Sequence, residues 1–222
     1  MARVKQAAAG RAGGQAVGQG GGRANQRART RKDLLTAAAR LLKSGRSPDM
    51  DEVAMEAGVS RATAYRYFPT VEALLAEAPV DRAVPESAAF FEGDTSTDPV
   101  ERALRAEAAM HEVVYANAAQ LRLMLAASVT RVLDGERGVP LRQNRRTPLI
   151  EAALEPVRAK LGRETYRQLC AALALVFGTE SMIVLTDVLG MPEPAARKVK
   201  AWAVEMLVEG ALREAASRRR GG

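Results

Sequence analysis

Residues 49–77, DMDEVAMEAGVSRATAYRYFPTVEALLAE, leave the chain little choice of local fold. Met50, Val53, Ala54 and Ala57 recur at helical spacing. Asp49, with Glu52 three residues later, makes a D-x-x-E form of the capping box. Gly58 stands where a helix can end in left-handed backbone at little cost. Ser60 then caps a second short helix, which Pro69 stops because the residue before a proline resists α geometry. Thr70 can cap a further short helix holding Leu74 and Leu75. Two short amphipathic helices meeting at the tight Ala57-Gly58-Val59 turn predict a helix-turn-helix. The second of them carries Arg61, Thr63, Tyr65, Arg66 and Tyr67. Cations, hydroxyls and aromatics on so short a helix suit the DNA major groove and its flanking phosphates.

The rest of the chain reads as helix too. Among its 222 residues 47% are hydrophobic and only 4% aromatic, with Ala and Leu prominent, which favours helices over a β-sandwich. No strand alternation and no internal repeat is present. The expected class is all-α with about nine helices. It comprises an N-terminal three-helix helix-turn-helix DNA-binding domain and a C-terminal helical domain for ligand binding and dimerisation. Leu34, Leu35, Ala38, Leu41 and Leu42 predict a first helix from Arg29 or Thr30 to Ser44-Gly45. Residues 79–98, with two prolines, a glycine and several acids, predict a linker or irregular segment with a short helix near Phe90-Phe91. Longer helices are predicted at 99–118, 119–134, 147–161, 163–189 and 193–216. The resulting division is a disordered basic arm at 1–28, the DNA-binding domain at 29–78, the linker at 79–98, the helical effector and dimerisation domain at 99–216, and a basic tail at 217–222.

The net charge of +7 is local. Eight of the 33 basic residues precede Asp33, the first acid, and the other 25 are nearly balanced by 26 acids. A basic arm beside a DNA-reading motif suggests added phosphate contacts, and a solubilising tail is the plainer reading. The N-terminus lacks the apolar centre of a secretory signal, and no apolar run reaches the ~18 residues of a membrane span, so no membrane partner is expected. One cysteine, Cys170, excludes an internal disulfide and suits a reducing cytoplasm. With His111 as the single histidine, no Cys/His zinc site can form, and neither metal nor cofactor is expected.

The candidate DNA-contacting residues are Ser60, Arg61, Ala62, Thr63, Tyr65, Arg66 and Tyr67. Arg61 and Arg66 can each donate two parallel hydrogen bonds to guanine O6 and N7, or can bind phosphate. Thr63 suits a phosphate or a thymine methyl. Tyr65 and Tyr67 suit sugar packing with a hydroxyl on phosphate. Arg29, Thr30 and Arg31, at the start of the first helix, are further phosphate candidates. Phe68 is expected to plug the small domain's core.

Residues 31–77, from LLTAAARLL through DEVAMEAGVSRATAYRYFPTVEALL, resemble the N-terminal domain of TetR-type transcriptional regulators. The AGVS turn, the TAYRYF reading helix and the following EALL carry the resemblance. It implies a homodimer that binds a palindromic double-stranded DNA operator, with a C-terminal domain that holds a small hydrophobic effector and dimerises. The chain departs from the family's pattern in three places. Ala64 stands where Leu is usual, Tyr67 where His is frequent, and Val71 where Lys commonly begins the fourth helix. The last removes an expected phosphate contact, for which the basic arm can compensate.

Residues 163–189 and 193–216 are apolar around more than one face, so each needs cover on both sides. Two helices from each subunit would form a four-helix bundle, and the resemblance makes these last two helices the dimer interface. Ala171, Ala174, Gly178 and Gly210 would permit close approach, with Trp202 and Met206 at the contact. Met110, His111, Tyr115, Met124, Phe177 and Glu180 are candidate ligand contacts, core packing being the commoner use of such residues. Glu180, within the Thr179-Glu180-Ser181 interruption, can equally sit at a solvent edge or cap a contact between helices. Two further readings stay open: a DNA-binding architectural protein without an effector, and a helical enzyme. For the enzyme the chain offers no Ser/His/Asp set, Gly-rich phosphate loop or metal spacing.

Overall fold

The computed structural model of the protein describes residues 19–43, 47–135 and 142–220, which are helical with no strand among them. Residues 1–18 of the expected basic arm and the last two residues of the expected tail lie outside the described residues. Helix α1 spans Gln19–Leu42. It begins ten residues before the expected start near Arg29, so the second part of the arm is helical rather than disordered. Arg23, Ala24, Gln26, Arg27 and Ala28 carry good helix propensity, whereas Gly20, Gly21 and Gly22 at its start do not. The helix is anchored at its other end by Leu34, Leu35, Ala37 and Ala38, all buried.

Helices α2 (Met50–Glu56), α3 (Arg61–Tyr67) and α4 (Val71–Ala83) complete the small domain. The capping box on α2 is complete. The Asp49 carboxylate accepts from the Glu52 N–H at 2.9 Å, and the Glu52 carboxylate accepts from the Asp49 N–H at 3.0 Å. Gly58 follows at φ +66°. Phe68 joins Leu34, Val53, Ala54, Ala64 and Leu74 in the core, as its position predicts.

Helix α4 runs through Pro79, where the sequence predicts the linker to begin. The proline removes one helical hydrogen bond. That loss is offset by Val80, buried with Val114, Leu121 and Met182 of the second domain, and by Asp81, held by Arg145. The irregular segment therefore starts at Val84, and it contains the short helix α5 (Ser87–Phe90).

The second domain comprises α6 (Pro99–Ala116), α7 (Ala118–Leu133), α8 (Arg146–Leu154), the short α9 (Arg158–Leu161), α10 (Arg163–Val176), the short α11 (Thr179–Met182) and α12 (Glu193–Arg220). Helices α6, α8, α10 and α12 enclose a core of Ala103, Leu149, Leu154, Leu173, Phe177 and Val204. Helix α7 lies outside that core, against α4. A single 3₁₀ turn at Glu155–Val157, around Pro156, separates α8 from α9. Helix α12 reaches Arg220, so residues 217–220 of the expected tail are helical.

The long helix predicted over 163–189 is broken at Phe177-Gly178, where its two parts meet at 49°. The break is built from polar groups. The Arg146 guanidinium donates to the Ala174 carbonyl at 2.7 Å and pairs with Glu180 at 3.0 Å. The one Ser181 hydroxyl proton is shared between the carbonyls of Val176 and Gly178, at 2.7 and 2.8 Å. These bonds satisfy carbonyls that the interrupted helix leaves open. A π-helical stretch, Ile183–Val188, continues the chain to Gly190.

Candidate nucleic-acid interface

Helix α3 is set by its cap. The Ser60 hydroxyl accepts from the Thr63 N–H at 3.1 Å and donates to the Thr63 hydroxyl at 2.9 Å. Such a cap stabilises a helix end by about 1 kcal/mol, which matters for a helix of 7 residues. The cap also occupies the Ser60 and Thr63 hydroxyls with each other. One face of α3, through Ala64 and Tyr67, enters the small domain's core. The opposite face carries Arg61, Ala62, Tyr65 and Arg66, all exposed.

Arg61 lies 2.8 Å from Asp51 of α2, with its guanidinium 5.5 Å from the centre of the Tyr65 ring. Both partners of that ion pair are more than half exposed. An exposed pair is worth ~0–1 kcal/mol, so a DNA phosphate or guanine can displace Asp51 readily. Arg66 has no ion-pair partner among the described residues. Five of the seven candidate contacts thus share one accessible surface or its edge: Arg61, Ala62, Thr63, Tyr65 and Arg66. Ser60 positions them.

Two sequence expectations need correction. Tyr67 is 3% exposed, so it serves the core rather than the DNA backbone. Its place one step past Arg66 turns it inward with Ala64. Arg31 is also 3% exposed and is no phosphate ligand. It pairs with Glu77 of α4, donates to the Tyr67 carbonyl at 3.2 Å, and stacks 4.1 Å from the centre of the Phe68 ring. A buried guanidinium with those partners fastens α1 to the end of α3 and to α4. Arg29 is exposed, and the Thr30 hydroxyl donates to the Gln26 carbonyl at 3.1 Å.

One residue that ties the small domain to the rest of the chain is absent from the sequence reading. Glu77 is buried and takes Arg31 on one carboxylate oxygen and Arg145 on the other, the latter at 2.6 Å. Arg145 also donates to Asp81 at 2.8 Å. This network links the reading domain to the segment preceding α8. Its partners are 64 and 68 residues apart in sequence, beyond the reach of any periodicity.

The six candidate ligand contacts do not line one cavity, although Tyr115 and Met124 pack against the same small cluster of Val114, Leu121 and Met182. Met110 and Phe177 are buried in the α6–α12 core, and Met110 lines a recess of only 40 Å³. His111 stacks on Tyr115 with 4.1 Å between ring centres, and its Nδ1 lies 3.4 Å from Lys200. Lys200 in turn pairs with Glu107 at 2.6 Å, both fully buried. Burial first, then Lys200 and Arg197, pull the His111 pKa down to about 4, so the imidazole is neutral at pH 7. Glu180 closes the break after α10 with Arg142 and Arg146. Met124 lines a different cavity, a cleft of 330 Å³ between α4 and α7.

The dimer candidates divide. Ala171, Trp202 and Met206 are exposed, and a side chain built at Gly210 would meet nothing. Ala174 instead packs on its own core. Gly178 is buried under Arg146, whose guanidinium occupies the place where a Cβ would stand. On the same two helices, α10 and α12, Leu175 is 73% exposed and Val199 is exposed too. Trp202, at 62%, is the largest apolar side chain so exposed. No single helix among the described residues is long and apolar enough to cross a membrane.

Residues 34–78 match the sequence profile described as bacterial regulatory proteins, tetR family. Neither a curated protein nor a solved structure matches the chain.

Proposed function

We propose that the chain is a DNA-binding transcriptional regulator of the tetR family, whose profile residues 34–78 match, and that it is a homodimeric repressor that binds a palindromic operator and is released by a small hydrophobic effector. The carrying observation is the two-sidedness of α3: Arg61, Ala62, Tyr65 and Arg66 outward, Ala64 and Tyr67 locked into the core. A helix held that firmly from behind can present side chains to a groove without paying much ordering entropy. Its 7 residues can read only a few base pairs. A second copy at a neighbouring half-site supplies the remaining specificity, and the apolar face of Leu175, Val199, Trp202 and Met206 supports the pairing.

Repression follows if the operator overlaps a promoter. Release follows if an effector binds better to a form whose two reading helices no longer match the half-site spacing of ~34–36 Å. The test is fluorescence anisotropy with a duplex taken from beside the coding gene. Wild type should bind it, and Arg66→Ala should bind at least about 5-fold more weakly with an unchanged melting temperature. Equal affinity for the two proteins would remove α3 from the interface.

A further inference from the structure

We propose that the cleft between α4 and α7 binds a small organic anion with an apolar body, of the kind of a medium-chain carboxylate. This rests on the reading above of a ligand-responsive regulator, and names the site and ligand class.

The cleft holds 330 Å³, at the lower end of small-molecule sites. Phe68, Ala73 and Met124 supply its apolar walls, and the exposed Leu123 and Ala127 stand among its lining. Arg31 is the buried polar group of that lining whose bonding is incomplete. Its two terminal nitrogens serve the Tyr67 carbonyl and Glu77, while its Nε has no partner. A buried donor without an acceptor costs about 1–3 kcal/mol. Glu77 does not reach that Nε: its two oxygens accept from the Arg31 terminal nitrogen and from Arg145. The spare hydrogen-bonding capacity is therefore a cationic donor. Burial, and more weakly Arg145 and Arg131, disfavour the Arg31 charge while Glu77 favours it; with Glu72 and Glu77 also in the lining, the place for an anion is the unpartnered Arg31 Nε.

An occupant would act on the reading helix directly. The same guanidinium holds the Tyr67 carbonyl at the end of α3, and the cleft's walls belong to both domains. A carboxylate drawn to Arg31 would compete with that hold and wedge α4 away from α7.

Isothermal titration of the full chain with decanoate, and separately with decylamine, tests the proposal. Ala127→Trp and Leu123→Glu block or charge the cleft from exposed positions, so folding should survive both, as thermal melting would show. Decanoate should bind wild type at one per chain, decylamine at least 10-fold more weakly, and both variants should lose at least 10-fold in decanoate affinity. Absence of saturable decanoate binding, equal binding of decylamine, or full affinity in both variants would overturn the site. Saturating decanoate should weaken duplex binding at least 5-fold, and unchanged duplex affinity would refute the site's regulatory role. Failure of ligand-free wild type to bind the duplex would instead count against the repressor reading, with the titration result standing separately.

Discussion

Arg66 and Tyr67 are neighbours in sequence, and one helical step of roughly 100° assigns them opposite duties. Arg66 is exposed and Tyr67 buried. Replacing Arg66 by Ala should cost about 1–3 kcal/mol of operator binding and relax preference at one base position if it reads guanine. A fold-independent loss of that size by anisotropy is the check. Glu77 makes the complementary prediction for stability. Removing it as Glu77→Ala leaves Arg31 and Arg145 without their shared carboxylate in a buried place. Loss of a buried partner costs about 3–5 kcal/mol, so a urea melt should show a marked drop. The residue scale is also where sequence and structure part most. Arg61 and Arg66 were legible because helical spacing puts them on one face. Arg31 was misread as a phosphate ligand because its basic neighbours gave it company in sequence. Its real partners, Glu77, Tyr67 and Phe68, are 36 or more residues away.

At the scale of elements, local chemistry carried much of the reading. The capping box at Asp49, the left-handed Gly58 and the Ser60 cap each involve residues within a few positions of one another, and all stand where predicted. Gly58→Ala should destabilise the small domain by about 1–2 kcal/mol through its φ of +66° alone, since an added Cβ would meet nothing. Gly178→Ala is the contrasting case. Its backbone is extended, so the penalty there is steric. The new methyl would displace Arg146 from the Ala174 carbonyl and from Glu180. The expected cost is about 1–3 kcal/mol, with loss of the bend in the α10–α11 unit. This bend was hidden from sequence because an apolar run reads as one helix. Its cause, a guanidinium from α8, comes from more than 25 residues upstream. The passage of α4 through Pro79 was hidden for the same kind of reason: Val80 and Asp81 are held by the second domain.

The whole molecule joins a reading domain to a helical body through α4, with His111, Lys200 and Glu107 buried inside that body. His111 has a pKa of about 4 in place of an ordinary 6.5, from burial first and then Lys200 and Arg197, with Glu193 opposing. Between those two values the unfolded chain takes up a proton that the folded chain refuses. Stability is therefore full above about pH 6.5 and falls as the pH drops toward 4. His111→Asn should flatten that part of a stability–pH curve measured by urea melts. The central claim is that α3, presented twice by a dimer, reads DNA. It is tested most directly by selecting duplexes from a random library with the full-length chain and sequencing those retained. The account predicts enrichment of an inverted repeat with half-sites about one helical turn apart, lost when Arg61 and Arg66 are both replaced by Ala. No enrichment, or the same repeat enriched by the double variant, would contradict it.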